Sequence, residues 1–429
     1  MDKLLRLAMQ QADQADVYFE EGSSDNVSFV NGKLDKADTS LSYGIALRVI
    51  KNGRVGLAHT RNLLDRQALV EQALASAENG MEVNITLPLT RDLPAIDSYD
   101  PAIESVSKDE LVASGQRLID YVAQRTQGQF NLDFGYTSAR EGIMNSAGTE
   151  LSRRGSHFVN YAQLVFPGTG SGLLEFCMEK SPVLLDTAQL DRMLELYRIS
   201  ETQLVPPTGP LPVIFTPYSL FFLFSRFFAA ASPVSFYNKV SPLLDKYGER
   251  IFSEQISIRQ DPFDPLLSNS TAFDGEGTPT RRLDYVDKGV FKCIPTDLNY
   301  AQKLGLEPTG NGFRGSHEAQ PSAQPINICI DPGTKTLQEM TASLERGLIV
   351  YSLMGGHSGN ILNGDYSVGV SSGFYVEHGK IVARVKDCLL SGNLYDTLNK
   401  VEAVESATQK LGSYKVPSIL CRDISVAGK

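Results

Sequence analysis

What this 429-residue chain lacks narrows its function before any motif is considered. It has no basic surplus: Lys and Arg number 40 against 50 Asp and Glu, leaving a net charge of −10. Phosphate binding needs a basic face, so no nucleic-acid partner is expected. Cysteine is scarce, and Cys177, Cys293, Cys329, Cys388 and Cys421 are odd in number and widely spaced. The opening MDKLLRLAMQQADQADVYF lacks the charged, apolar and small-residue regions of a signal peptide, so a reducing cytoplasm is the expected compartment. Long apolar runs are missing except Leu211 to Ala231, where Pro217 and Arg226 leave fewer uninterrupted residues than the roughly 20 a membrane span needs. A buried helix and no membrane partner are expected there. No fixed-period repeat or low-complexity tract supports a solenoid or a disordered region.

Metal ligands and activated nucleophiles are equally thin. His59, His157, His317, His357 and His378 never pair one helical turn apart, and Pro321 would break a helix after His317-Glu318. No Gly-x-Ser-x-Gly elbow follows a strand, and Gly168 to Gly172 reads as a turn. Cys388 reads as a buried strand cysteine. No catalytic residue and no metal ligand is assigned, and no cofactor is expected in this chain.

What is present predicts an α+β protein: an N-terminal region of small α/β units with mixed or antiparallel sheets, and a β-rich C-terminal domain. The units are read as 1–85, 102–204 and 211–429. The first holds a helix around Leu4 to Ala12, strands at Val17 to Phe19 and Val27 to Val30, and a hairpin turning at Asn52-Gly53. Ser107 with Glu110 predicts a capping box opening the second unit, and Val205 to Pro210 reads as a linker. Beyond it, Thr216 and Pro217 start a helix carrying Phe221, Phe222, Phe224, Phe227 and Phe228, apolar nearly all round. Thr336 with Glu339 predicts a second capping box.

Two strings invite chemistry. In Gly355 to Asn360 the glycines let another backbone approach, and His357 and Asn360 are candidate peptide contacts, although the loop lacks a phosphate cradle's Gly-Lys-Ser/Thr ending. In Phe273 to Arg282, Asp274 and Glu276 are candidate paired carboxylates, and Arg281 and Arg282 could fork onto a peptide carboxylate. The bland reading is preferred: a tight turn in which these two acids and two arginines satisfy one another.

These strings in this order resemble the TldD/PmbA family, once called modulators of DNA gyrase. The resemblance rests on Tyr43 to Val49, Asn52 to Gly56, Asn145 to Gly148, Phe273 to Arg282, Gly364 to Ser367, Ser391 to Asn393 and Ile424 to Gly428. Its TldD branch carries zinc on a helical HExxxH motif with a further cysteine. Here the corresponding helix is Tyr218 to Phe228, without His or Glu, and Tyr218, Phe221, Phe222 and Ser225 stand at the degenerate metal positions. The chain therefore resembles the PmbA branch, also called TldE. The resemblance implies a zinc-free subunit paired with a TldD-like catalytic subunit that supplies zinc, acting on unfolded polypeptides or peptides. The alternative is a homodimer that binds peptides or a regulatory partner without cutting. An independent hydrolase built on Asp274 and Glu276 is the least favoured reading. Aromatic side chains are expected to fill the former metal site, leaving that cleft closed and dry.

Overall fold

The structure is a computed structural model that describes residues 1–428. Asn52 and Gly53 both adopt positive φ, 51° and 71°, the conformation a two-residue hairpin turn requires, so β2 (Lys33–Lys51) returns as β3 (Arg54–Thr60). With β1 (Gln14–Val30), β4 (Phe130–Asn145), β5 (Glu150–Val165) and β6 (Gly172–Glu179) they form one antiparallel sheet, ordered β3-β2-β1-β4-β5-β6. Residues 1–85 and 102–204 thus both contribute strands to a single sheet. The separate strands expected at Val17 to Phe19 and Val27 to Val30 are one continuous strand. Its polar middle, Glu20 to Asn26, has the composition of a loop, yet backbone pairing to β2 on one side and β4 on the other holds it extended.

Alternation decides what each face meets. Ala15, Val17, Val27 and Phe29 of β1 lie in apolar clusters with helices. α1 (Asp2–Ala8) and α2 (Arg66–Glu78) cover one end through Leu4, Leu5, Leu69 and Ala73. α3 (Lys108–Ala123) and α4 (Thr187–Ile199) cover the other through Leu111, Ile119, Leu190 and Met193. The opposite parity carries Asp16 and Tyr18, and Tyr18 packs with Ala46, Ile143 and Phe273 of the C-terminal domain. Residues 33–43 of β2 are exposed and pair only with β1, because β3 begins its pairing at Ile45.

α2 lies directly on β3 at Gly56. A Cβ there would stand 2.0 Å from the Ala73 carbonyl oxygen and 2.8 Å from Ala77 Cβ. Gly56→Ala is expected to cost about 1–3 kcal/mol, because backbone rather than a flexible side chain must move. Urea unfolding checks this, with Gly170→Ala, where nothing lies within 4 Å, as the silent control.

In the C-terminal domain the strands Gly209–Phe215, Arg346–Met354, Asp365–Glu377, Cys388–Asn393 and Ile419–Gly428 pair in a closed ring. A six-stranded sheet that includes Ile258–Gln260, Leu283–Asp287 and Ile328–Ile330 stands beside it. α5 (Pro217–Ala230) is packed between the two: Leu220, Leu223, Phe224 and Phe227 share one core with Phe215 and Val350 of the ring and Tyr285 and Ile328 of the second sheet. Phe228 meets Tyr285 edge-on at 5.4 Å. Two packed sheets explain a helix apolar on most sides. By length and composition Pro217–Tyr237 is apolar enough to cross a membrane, but it is mostly buried in this core and broken between α5 and the short helix Pro233–Tyr237.

Thr336 and Glu339 form the expected capping box, whereas Ser107 makes no side-chain cap. Thr216 stands at the N-cap of α5, but its hydroxyl donates to the Val350 carbonyl, tying the helix to the ring.

Candidate functional site

The Phe273 to Arg282 string turns at Gly277, whose φ is 79°, and presses against the N-terminal sheet. Glu276 is buried and accepts from Arg48 Nη1 at 2.7 Å and from the Leu298 amide at 2.8 Å. Arg48 Nε donates to Asp16 at 2.5 Å, and Arg314 Nη2 reaches the other Asp16 oxygen at 2.9 Å. Asp274 accepts three backbone N–H groups, from Glu276, Thr278 and Gly312. Burial and the neighbouring Glu276 charge push the Asp274 carboxyl up to about 8, against the pull of those three donors.

This corrects the sequence-based grouping in one respect. Both acids are buried, but only Glu276 joins an ion cluster, through Arg48, which also binds Asp16 alongside Arg314; Asp274 is held by backbone amides alone. Arg281 bonds the Pro308 carbonyl, and Arg282 meets Asp261 at 3.1 Å. Both side chains are exposed and point to other partners, so the four residues do not converge on one peptide site. Asp274 and Glu276 are enclosed and hydrogen-bonded, 2% exposed each.

Around α5 the arrangement is different. Tyr218, Phe221, Phe222 and Ser225 fall on one helical face, and it is the helix's open face. Phe221 is 52% exposed and meets Tyr414 edge-on at 5.0 Å, while Tyr218 meets Phe176 of β6. The expected closed, aromatic-filled cleft is therefore not observed. Phe224 and Phe227 are the buried rings, because the two sheets clasp the opposite side of the helix.

The Gly355 to Gly364 loop lies over this helix, pinned by Arg226. That guanidinium is almost fully buried and donates to the carbonyls of Phe222, Gly356, Ser358 and Asp365 at 3.1–3.3 Å. It also lies 3.9 Å from the Phe222 ring centroid. His357 and Asn360 are exposed on the loop. Asn360 Oδ1 accepts the Asn363 amide, a local turn bond.

At the N-terminus of α5 a cavity of about 200 Å³ opens between the two halves of the molecule. Glu175 of β6, Tyr218, Tyr351, Ser352, Glu405 and Thr408 are among its lining residues. Burial pushes the Glu175 carboxyl up to about 7, with Arg192 opposing and Asp186 adding to the shift. Burial likewise raises the Tyr351 phenol, with Glu175 and Glu405 adding to it.

Among the described residues, no group of three or more His, Cys, Asp or Glu is placed to hold a metal ion. The α5 face offers a phenol, two phenyl rings and a hydroxyl, and Ser225 already donates to the Phe222 carbonyl at 2.7 Å. That donor set does not suit zinc. All five cysteines are free.

Sequence reasoning missed Glu175, Tyr351 and Glu405 as a group, since three distant segments bring them together. Arg226 was visible as the lone charge in an apolar helix, and that isolation is itself the signal of a built internal partner set.

Family models match most of this architecture: the PmbA/TldA metallopeptidase C-terminal domain over residues 208–428 and PmbA/TldA metallopeptidase domain 1 over residues 15–77. Metalloprotease PmbA of Escherichia coli O157:H7 is 26% identical over 458 residues, covering 99% of this chain and 94% of that protein. The crystal structure of TldE from Thermococcus kodakarensis matches with a TM-score of 0.93 at 24% identity, covering 100% of both chains. A Thermotoga maritima protein solved as a candidate modulator of a DNA gyrase matches with a TM-score of 0.88 at 24% identity, over 99% of each chain. The match of the C-terminal model to more than half the sequence, on the fold described above, shows that the chain belongs to the PmbA/TldD family of metallopeptidase-like proteins.

Proposed function

We propose that this chain is the zinc-free subunit of a cytoplasmic two-subunit peptidase acting on unfolded polypeptides, with a TldD-like partner carrying the zinc. The observation that carries the reading is the open face of α5. Tyr218, Phe221, Phe222 and Ser225 have the spacing of a ligand set on one helix face but none of its chemistry. A half-open aromatic face suits docking and chain contact better than hydrolysis. Extended polypeptide is a fitting substrate, because backbone capture at a sheet edge reads little of the side-chain sequence.

Native mass measurement combined with metal analysis tests this. The chain alone is expected to hold no stoichiometric zinc and to leave an unfolded polypeptide intact. Mixed with an HExxxH-bearing relative encoded in the same genome, it is expected to form an equimolar, zinc-loaded complex that cleaves. Zinc and cleavage by the chain alone sink the proposal. A self-dimer that ignores the relative replaces it with a peptide-sequestering homodimer.

A further inference from the structure

The cavity at the start of α5 is unusual in the balance of its lining. It carries two carboxylates, Glu175 and Glu405, and no lysine or arginine. Glu175 is half-buried, and no side chain among the described residues gives it a hydrogen bond or ion pair. Glu405 accepts the Ser418 amide through one oxygen, and the hydrogen bonds leave its other oxygen uncommitted. The phenol rings of Tyr218 and Tyr351 supply aromatic surface beside the carboxylates.

The opposite reading, an anion at the helix N-terminus, finds few donors. Pro217 has no N–H at the first helical position, the Thr216 hydroxyl is spent on the Val350 carbonyl, and Ser352 pairs with Ser371 at 2.7 Å. Acceptors and aromatic surface without a resident cation are the surroundings in which an ammonium group is held. The volume far exceeds the roughly 10–15 Å³ a single water needs, leaving room for an alkyl stem as well as its charged head.

We propose that this cavity is a subsite for a primary ammonium group carried by a polypeptide, either a lysine side chain or a free N-terminus, gripped between Glu175 and Glu405 with Tyr218 and Tyr351 alongside. It rests on the reading that the chain handles polypeptides, but it requires neither partner nor zinc. Charged groups around Glu175 are Glu405 in the cavity and Arg192 and Asp186 at α4, with Tyr218 and Tyr351 beside it. A lysine amine stays protonated across the neutral range, and a free N-terminus does so up to about pH 8, while Glu175, pushed up to about 7, loses its proton as pH rises. Affinity for the amine therefore strengthens from acid toward neutral and mildly alkaline pH.

Calorimetric titration of the intact chain tests this with three acetylated or free, amidated pentapeptides of glycine and serine. One carries a central lysine behind an acetyl cap, one carries norleucine in its place, and one has a free N-terminus and no lysine. At about pH 8 the lysine peptide is expected to bind about tenfold or more tightly than the norleucine peptide, and the preference is expected to shrink toward about pH 5.5. Glu175→Gln, which removes charge but no existing hydrogen bond, is expected to abolish the preference and its pH dependence while thermal unfolding stays unchanged. Tighter binding of the free-N-terminus peptide than of the lysine peptide assigns the site to chain ends, still through an ammonium. Equal binding of lysine and norleucine peptides, a preference that survives in Glu175→Gln, or no binding of either amine peptide overturns the proposal. Cleavage by a partnered complex is not read, so this result and that of the metal and mass experiment fail independently.

Discussion

Arg48→Met is expected to destabilise the chain by about 3–5 kcal/mol, more than any surface change, because it strands two buried carboxylates at once. Asp16 and Glu276 both depend on this guanidinium, and both are almost completely enclosed. Methionine fills much of the stem's volume, so the loss reads charge and hydrogen bonding more than a cavity. Arg314 relieves Asp16 in part, since it holds the second carboxylate oxygen, but nothing in the cluster takes over at Glu276 Oε1. Arg48→Lys recovers little: a compact ammonium cannot reproduce a fork that spans two carboxylates on different domains. Chemical unfolding at neutral pH checks this, and a loss below about 1 kcal/mol for Arg48→Met contradicts the description of the cluster. Because Arg48 lies on β2 and Glu276 in the C-terminal domain, the damage is expected at the seam between them, seen as faster hydrogen exchange around 273–280.

Arg226→Met is expected to have the largest local effect, concentrated in one loop rather than spread over the fold. Arg226 is a buried cation without a carboxylate: four carbonyl dipoles hold it, and burial lowers its proton affinity. Three of those carbonyls, from Gly356, Ser358 and Asp365, belong to the loop or its exit strand. Losing their donor costs roughly 1–3 kcal/mol for each acceptor left buried, an expense the chain avoids by letting the loop swing out to water. The expected result is a modest fall in global stability, about 1–2 kcal/mol, with strongly enhanced proteolysis and hydrogen exchange confined to 355–364. Unchanged exchange in that loop would mean that Arg226 does not hold it. The same loop covers Phe222, so its release exposes more of the aromatic face through which the partner is proposed to dock.

Local signals in the sequence translated well into structure. The Asn52-Gly53 turn and the Thr336 capping box both depend on residues within one turn of each other. The long strands were harder to read, since Glu20 to Asn26 has no apolar alternation and is held by neighbours in β2 and β4. The ion cluster was half legible: the turn that buries Asp274 and Glu276 was visible, but Arg48 is 228 residues from Glu276, and Arg314 is 298 from Asp16. Adjacency in sequence favoured Arg281 and Arg282, which the fold turns outward. The amine-accepting cavity had no sequence signature, because each of Glu175, Tyr351 and Glu405 looks ordinary on its own strand or connection.

The bare edge of β2 carries a liability of a different kind. Eleven residues, 33–43, leave one side of an extended backbone open to water, which is a template for unwanted chain addition and the start of aggregates. Lys33, Asp35, Lys36 and Asp38 place both signs of charge along its first half, so an incoming strand must match them or bury them unpaired. The second half, with Leu41 and Tyr43 exposed, has no such guard. Resistance of this edge to strand addition then rests on its charged half, and salt, by screening those charges, weakens it.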